Sequence, residues 1–584
     1  TFAGQAGYTL YSVTHIGGGL AAYQITSPDQ PIQMIDNWAY SPSVGYGGQP
    51  KVAIVDLADG ASVFGIGLTN DAGMGRLLQA DGRFGAAAQL QDSGAYSLLG
   101  QFETPLGNFI YTVRDGRTAF DVWRVGENGG VSFVERSSLP WGPGMQGTEI
   151  SDLQLASVGD RSFIISTSAL GNYIAAQMIR ADGSIGGAQM LWADRGLGLN
   201  QPSHLATIEM NGVTYVVVAS SQSSSLTTLR LNYAGELLPS DHIIDELTTR
   251  FRGTTALDAV TVDGRAFIFA GGGDDGISVF TLLPDGRLMH LTSLADTLDY
   301  AMADVSSLSA RVIDGRIVLF VGSQTEQGIT QFVFDPGQVG LTQIVGERWQ
   351  HGTTGNDVMQ AGAETTGIMG GAGDDVLVAS NSPVQMSGGD GADTFVAREV
   401  NGRIIINDFE LGVDRLDLSL LGMIRSTGQL TFRPQADGIK IFYGNSVIWI
   451  YTHDGSTLQA GNFDNSLFPI AHYNPPNMWT NIMGSEGNDT LSAGRYGSTV
   501  VARGGRDLLL GGERGDYLRG GDGNDTMHGA VGNDIVRRPC LHAGDRDDHR
   551  VMRVELAGHH GLQCQDHFGG DRNRVPDPQA RHGD

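Results

Sequence analysis

The sequence predicts an all-β chain: a seven-bladed β-propeller followed by two parallel β-roll segments, with a β-hairpin cap between them. Three observations carry that reading. A nine-residue pattern rich in glycine and aspartate recurs in strict register at two places. A looser strand-turn-strand pattern recurs about every 50 residues ahead of it, and helical periodicity is scarce throughout. The expected divisions are propeller 1–350, first roll 351–396, cap and linker 397–480, second roll 481–537 and an irregular tail 538–584.

In the propeller segment each copy opens on a glycine and runs through two strands to a second turn. The copies begin at Gly7, Gly60, Gly107, Gly159, Gly212, Gly264 and Gly315. Their interval is the length of a four-stranded blade. Tyr215 to Ala219 is an unbroken apolar run, suited to a strand covered on both faces. Leu226, Leu229 and Leu231 alternate with threonine and arginine, which suits a half-exposed strand. An eight-bladed ring or a pair of β-sandwiches would use the same pattern. The innermost strand of each blade precedes its glycine, so Asp152, His204, Asp258 and Ser307 are candidates to line the channel; solvated channel side chains are the plainer account of them.

The repeat is similar to lactonase-like and quinoprotein-like propellers in shape only, and no catalytic residues transfer from that likeness. There is no H-E-x-x-H and no G-x-S-x-G. Gly271, Gly272 and Gly273 with Asp274 and Asp275 sit between two strands with no lysine following, which reads as a hairpin turn. No catalytic motif is recognised, so whether the protein is an enzyme stays open.

From Gly352 the chain reads GTTGNDVMQ, AGAETTGIM, GGAGDDVLV, ASNSPVQMS, GGDGADTFV. The first, third and fifth blocks follow G-G-x-G-x-D-x-U-x, with U a large apolar residue. The last three residues make a short strand that sends U to one face, and the glycines make a turn whose carbonyls are free to act as ligands. Two blocks close one coil, so residues 18 apart stack. Asp357, Asp375 and Asp393 keep that spacing, whereas the even blocks have Thr366 and Val384 at the same position. Eighth positions are Met359, Ile368, Leu377, Met386 and Phe395, all apolar, so the core should run through both kinds of block. Stacked carboxylates repel unless a cation lies between them, and an oxygen-only ligand set points to Ca²⁺.

The pattern returns at Gly484 as GSEGNDTLS, AGRYGSTVV, ARGGRDLLL, GGERGDYLR, GGDGNDTMH, GAVGNDIVR. Sixth positions are Asp489, Ser498, Asp507, Asp516, Asp525 and Asp534; eighth positions are Leu491, Val500, Leu509, Leu518, Met527 and Val536. Asp489 with Asp507, Asp507 with Asp525, and Asp516 with Asp534 should stack, loading both flanks towards the end. The expected ligand set of the first roll is Asp357, Asp375 and Asp393 with turn glycines Gly352, Gly355, Gly370, Gly371, Gly373, Gly388, Gly389 and Gly391. In the second it is Asp489, Asp507, Asp516, Asp525 and Asp534 with Gly484, Gly487, Gly511, Gly512, Gly520, Gly521, Gly523 and Gly532.

These blocks resemble the RTX family of secreted bacterial proteins, with their hemolysin-type calcium-binding repeats. The resemblance implies several structural Ca²⁺ ions, rolls disordered at low calcium, export through a type I secretion apparatus, and folding outside the cell. The segment from Ile406 to Ser419, INDFELGVDRLDLS, resembles the element that follows the roll in many such proteins. There Asp408, Asp414 and Asp417 could add an ion site or serve as turn residues. Beyond it, Val447, Trp449 and Tyr451 share one strand face and are the expected cap core. Pro475 and Pro476 make a stiff linker.

The formal net charge is −27 and lysine occurs only at positions 51 and 440, which argues against nucleic acid as partner. The first residues lack the layout of a secretory signal and no apolar run reaches transmembrane length. Two cysteines, Cys540 and Cys564, exclude a disulfide-stapled scaffold. Both lie in the tail with six of the 14 histidines, where the nine-residue grammar has stopped. A lost reading frame near residue 537 explains that best; a zinc site from Cys540, His542, Cys564 and His567 is the weaker account. The expectation is a secreted, extracellular or cell-surface calcium-binding protein whose propeller binds or adheres to an unidentified ligand. A secreted hydrolase acting in the channel is the alternative.

Overall fold

The computed structural model describes residues 2–537, apart from 5–6, 15–17, 42–43, 58, 70–73, 91–94, 115, 127–129, 140–148, 194–196, 474–479, 494–496, 513–515 and 531–533, together with the strand Arg553–Leu556. Among these residues there is no α-helix, only strands and three short 3-10 turns. The chain divides into two units, Thr1–Pro475 and Pro476–Asp584.

The first unit opens with a seven-bladed propeller. Its blades span 2–39, 45–89, 96–138, 152–192, 202–244, 256–295 and 305–334; six are four-stranded antiparallel meanders and the seventh has three strands. All seven repeat glycines stand at the first hairpin of a blade with positive φ, from +60° at Gly159 to +138° at Gly107. That conformation is costly for any residue with a Cβ, and it explains why glycine marks each copy. Asp274 and Asp275 lie in the hairpin between Arg265–Gly271 and Gly276–Leu282, as expected.

Burial is more complete than strand patterning indicated. Ser225–Leu231, read as half-exposed, is buried at all positions except Arg230, because a neighbouring blade covers each face. Thr227 there bonds to His242 Nδ1 at 2.9 Å and Thr228 donates to the Gly286 carbonyl at 2.6 Å. The ring closes between blades seven and one. Arg316 makes two bonds to Asp29, at 2.7 and 2.8 Å, beside a cluster of Leu10 and Ile25 with Ile313, Val318 and Phe320.

The seventh blade is short of a strand because the next segment, Val339–Val345, pairs parallel with Asn356–Ala361 and begins the roll. Parallel stacking therefore starts before Gly352, and it runs past Val396 to Arg415–Asp417. A coil end without such flanking strands would leave backbone groups unpaired. One five-stranded sheet and one seven-stranded sheet face each other. Met359, Leu377 and Phe395 stack in the first and Ile368 and Met386 in the second, all fully buried in one core. Val384, where the aspartate pattern fails, joins that core, and Thr365 and Thr366 hold their turn by donating to the carbonyls of Val345, Glu347 and Arg348.

The outward side of the five-stranded sheet is apolar as well. Val358, Val376, Val378 and Val396 pack against Leu283 and Met289 of the sixth blade, so the roll is docked on the propeller. Arg398 with Asp285 and Arg425 with Glu246 add ion pairs to the same junction. Beyond the roll, Ser446–Thr452 extends the seven-stranded sheet and carries the antiparallel cap strands Gly438–Tyr443 and Thr431–Gln435. The cap core is the opposite face from the one expected. Ile448 and Ile450 are buried, and Val447, Trp449 and Tyr451 face outward, because parallel pairing with Ile404 and Ile406 brings the isoleucines inside.

The second unit is a roll of two four-stranded parallel sheets and one two-stranded sheet, with Val500, Leu509, Leu518, Met527 and Val536 in its core and Leu491 packed at its end. Within the segment read as irregular, Arg553–Leu556 forms a strand parallel to Thr526–Ala530. The four tail residues considered for zinc lie outside the described residues, as does Gly532.

Candidate metal centres

The acidic corners stack as a ladder. In the first roll the backbone N–H of Asp357 donates to Asp375 Oδ1 at 2.8 Å, that of Asp375 to Asp393 Oδ1 at 2.9 Å, and that of Asp393 to Asp414 Oδ1 at 3.0 Å. Three of these carboxylates are buried: Asp357, Asp375 and Asp393. The fourth rung, Asp414, follows at a spacing of 21 residues, which is why the period of 18 did not include it. Asp408 accepts from the Gly388 N–H at 3.0 Å, whereas Asp417 serves its own turn, accepting from Ser419 N at 2.8 Å and Oγ at 2.6 Å.

One oxygen of each carboxylate is thus used by the coil before it. The other, Oδ2 of Asp375 and of Asp393, is buried without any hydrogen-bond partner. An acceptor in that state costs free energy unless something positive meets it. It faces the first glycine of its block: a Cβ at Gly370 would lie 2.1 Å from Asp375 Oδ2 and 2.6 Å from the Gly388 carbonyl oxygen. A Cβ at Gly388 would lie 1.9 Å from Asp393 Oδ2, and one at Gly352 2.2 Å from Asp357 Oδ2 and 2.1 Å from the Gly370 carbonyl oxygen. The glycines at the second and fourth positions repeat the theme, chiefly against backbone. Gly371, Gly373, Gly389 and Gly391 all have positive φ, and a Cβ there would meet Thr353, Gly355, Gly371 and Gly373 respectively. At Gly355 it would meet the Gln338 carbonyl at 2.5 Å.

Such a corner presents stacked backbone carbonyls and one unused carboxylate oxygen per coil. Among the described residues no three Asp, Glu, His or Cys side chains converge as a cluster. The oxygens on offer are stacked carboxylates and backbone carbonyls, and that chemistry fits a hard cation such as Ca²⁺. The electrostatics agree. Burial, with the neighbouring carboxylates Asp393, Asp357 and Asp374, pushes Asp375 up to about 7; burial with Asp414, Asp408 and Asp374 pushes Asp393 to about 7. Without a cation the ionised corner is disfavoured.

The second roll repeats the arrangement on both flanks. Asp489 N donates to Asp507 Oδ1 at 2.8 Å and Asp507 N to Asp525 Oδ1 at 3.0 Å on one side, and Asp516 N to Asp534 Oδ1 at 2.9 Å on the other. Asp507 Oδ2 is buried without a partner. Asp516 is pushed up to about 6, first by burial and then by Asp534. Its Oδ2 accepts from Gly512 N at 2.6 Å. A Cβ at Gly484 would lie 2.8 Å from Asp489 Oδ2, at Gly511 2.2 Å from the Gly529 carbonyl, and at Gly520 2.3 Å from Asp525 Oδ2. Gly521 and Gly523 would meet the carbonyls of Arg503 and Gly505. Gly487 is open, with only Ser485 Oγ at 3.6 Å, and Asp489 is already bonded by Ser485 through both N and Oγ.

A second ladder escaped the sequence reading. Asp374 N donates to Asn356 Oδ1 at 2.8 Å, Ala392 N to Asp374 Oδ1 at 2.9 Å and Arg506 N to Asn488 Oδ1 at 2.7 Å. The signal was present as Asn or Asp at the fifth position of several blocks, one residue before the acidic corner.

Of the four channel candidates, Asp152 and His204 lie within electrostatic reach of each other and of Lys51. Asp152 accepts from Leu205 N at 2.8 Å and Asp258 from Ala310 N at 2.7 Å, so each fastens its blade to the next. Burial pushes Asp258 up, and pushes His204 down to about 4, with Ser203 Oγ 3.1 Å from its Nδ1. Ser307 is exposed. Ser151 and Ser203 repeat the fastening through hydroxyls, onto the carbonyls of Pro202 and Thr254.

Fold and corners together define an all-β protein in which a propeller is followed along the chain by β-rolls with stacked acidic turns. Those turns are RTX calcium-binding nonapeptide repeats: the model of that family matches in four copies over 369–404, 481–495 and 501–536. No curated protein matches the chain. Similar solved structures include a protein from Lactobacillus plantarum, at 12% identity over 56% of this chain and 95% of that one, with a TM-score of 0.38. A putative 6-phosphogluconolactonase from Bacteroides uniformis has 13% identity over 55% of this chain and 93% of its own, with a TM-score of 0.37. A periplasmic gluconolactonase from Pseudomonas aeruginosa has 17% identity over 50% and 83%, with a TM-score of 0.38. Likeness at these scores carries no argument about activity. Among the described residues no helix is long and apolar enough to cross a membrane.

Proposed function

We infer that the protein is exported and acts outside the cell, where Ca²⁺ completes its rolls. The single observation that carries this is the buried, unpartnered Oδ2 of Asp375 and Asp393, each turned towards the first glycine of its own block, Gly370 and Gly388. In this reading the aspartates at positions 357, 375, 393, 489, 507, 516, 525 and 534 and the turn glycines hold several structural ions. Binding free energy becomes folding free energy, because the ligand sets do not exist in the unfolded chain. Extracellular sites of this kind bind at about 10⁻⁴ to 10⁻³ M, so the rolls would stay slack during passage through a type I apparatus and set afterwards.

The propeller then serves as an extracellular binding or adhesion module. The engagement of Asp152 and Asp258 in holding blades together counts against the hydrolase reading. Calcium titration of the chelated protein, followed by circular dichroism and by counting bound ions, tests the reading. A cooperative gain of β-structure with several ions bound supports it. Full β-structure in chelator with no ions taken up defeats it.

A further inference from the structure

The roll has two outward faces with opposite fates. The five-stranded sheet turns its valines onto the sixth propeller blade. The seven-stranded sheet turns the other way, and its outward side carries side chains that neither the calcium corners nor the core employs.

One row crosses that whole sheet: Trp349, Gly367, Gln385, Ile405, Trp449, Lys440 and Arg433 lie side by side in register. No carboxylate stands in it. Trp349 is 48% exposed and its ring lies down on the sheet: a Cβ at Gly367 would be 2.3 Å from two ring carbons, so glycine is what lets the ring lie flat. At the other end Lys440 Nζ sits 3.9 Å from the centre of the Trp449 ring and the Arg403 guanidinium 5.3 Å from it. Arg433 is held 4.7 Å over Phe442. Aromatic rings thus fix three cations on an open β-surface. One of them is among the only two lysines of a chain with net charge −27.

We propose that this face binds an acidic polysaccharide. Trp349 supplies a flat apolar platform for the C–H face of a sugar ring, and Arg403, Lys440 and Arg433 receive carboxylate or sulfate groups further along the same polymer. Four strand intervals separate Trp349 from Trp449, or roughly 19 Å at about 4.8 Å per strand, a reach suited to an extended chain of several sugars. A bilayer fits the face less well. Neither tryptophan projects from the sheet: the Trp349 ring lies over Gly367 and the Trp449 ring lies beneath Lys440. The excess negative charge elsewhere on the protein also disfavours indiscriminate attraction of polyanions, so binding would have to come from this local cluster. This site is separate from whatever the propeller binds.

The test uses the full chain in millimolar calcium, with dextran sulfate, unsulfated dextran and phosphatidylserine vesicles as probes in affinity electrophoresis and co-sedimentation. Binding to dextran sulfate but not dextran is expected. Lys440→Glu combined with Arg433→Glu should weaken it by about tenfold or more, and so should Trp349→Ala, which leaves every charge in place. The calcium midpoint of folding, read by circular dichroism, should stay that of the parent for all three substitutions and shows that the sheet is intact. Should a variant shift that midpoint, Gln385→Trp, placed in the same row, is read instead and must alter dextran sulfate affinity. Equal retention of both dextrans, unchanged binding by the folded variants, or binding to vesicles alone would overturn the proposal.

Discussion

The amide of Asp357 lies 2.8 Å from Oδ1 of Asp375, eighteen residues further on, while Oδ2 of the same carboxylate is buried with no partner. One side chain thereby splits its two oxygens between neighbours. The first ties coil to coil, and the second is left for a cation.

Removal of that carboxylate should therefore cost calcium affinity, while the threonine of the ion-free flank should not. Asp375→Ala is expected to raise the calcium midpoint of folding by about tenfold or more, because the charge and an oxygen shared by two coils are lost together. Thr366→Ala removes only a 3.1 Å bond to the Arg348 carbonyl and should leave the midpoint nearly unchanged. Calcium titrations of the two variants side by side check this, and equal midpoints would contradict it.

Gly388→Ala asks whether the corner has room for a methyl group. Its Cβ would lie 1.9 Å from Asp393 Oδ2, so the carboxylate must leave its place, at a cost of about 1–3 kcal/mol in the calcium-loaded form. Gly461→Ala, with nothing within 4 Å, is the control and should change stability by less than about 0.5 kcal/mol. Denaturant unfolding in excess calcium distinguishes them.

The apolar column is tested by Leu377→Ala. That side chain is fully buried between Met359 and Phe395, and truncation should cost about 2–5 kcal/mol without changing the ion count. Ion stoichiometry measured at saturating calcium should match the parent, which separates loss of packing from loss of ligands.

Acidity should substitute in part for calcium. In the metal-free roll Asp375 and Asp393 are raised to about 7, against about 3.9 in the unfolded chain, so the folded form holds more protons in between. Stability is then greatest below about pH 4 and is lost as pH rises towards about 7. Chelated protein should show more β-structure at pH 5 than at pH 8, and calcium binding near pH 6 should release protons. A metal-free signal that strengthens with rising pH would contradict the assignment.

What the sequence disclosed and what it withheld follow one rule. Features with a fixed period were legible: the buried eighth positions from Met359 to Phe395, and the seven glycines whose positive φ makes each blade's first hairpin. Features that depend on which face meets a neighbour were not. Val376 and Val378 flank an inward leucine and look like ordinary strand residues until the sixth blade is seen to cover them. Trp449 was expected inside, but the parallel register with Ile405 puts it outside. Asp414 continues the acidic ladder across 21 residues, a spacing no period of 18 could reveal. Asp152 and Asp258 looked like channel groups because their backbone N–H donors sit some 50 residues away in another blade.

Hydrogen exchange with and without chelator, resolved along the chain by mass spectrometry, tests the calcium-dependent roll most directly. Loss of protection confined to 352–396 and 484–537, with blades four to six between 152 and 295 still protected, is the predicted result. Protection of both rolls that survives chelation at neutral pH, or a loss spread evenly over rolls and propeller, would contradict it.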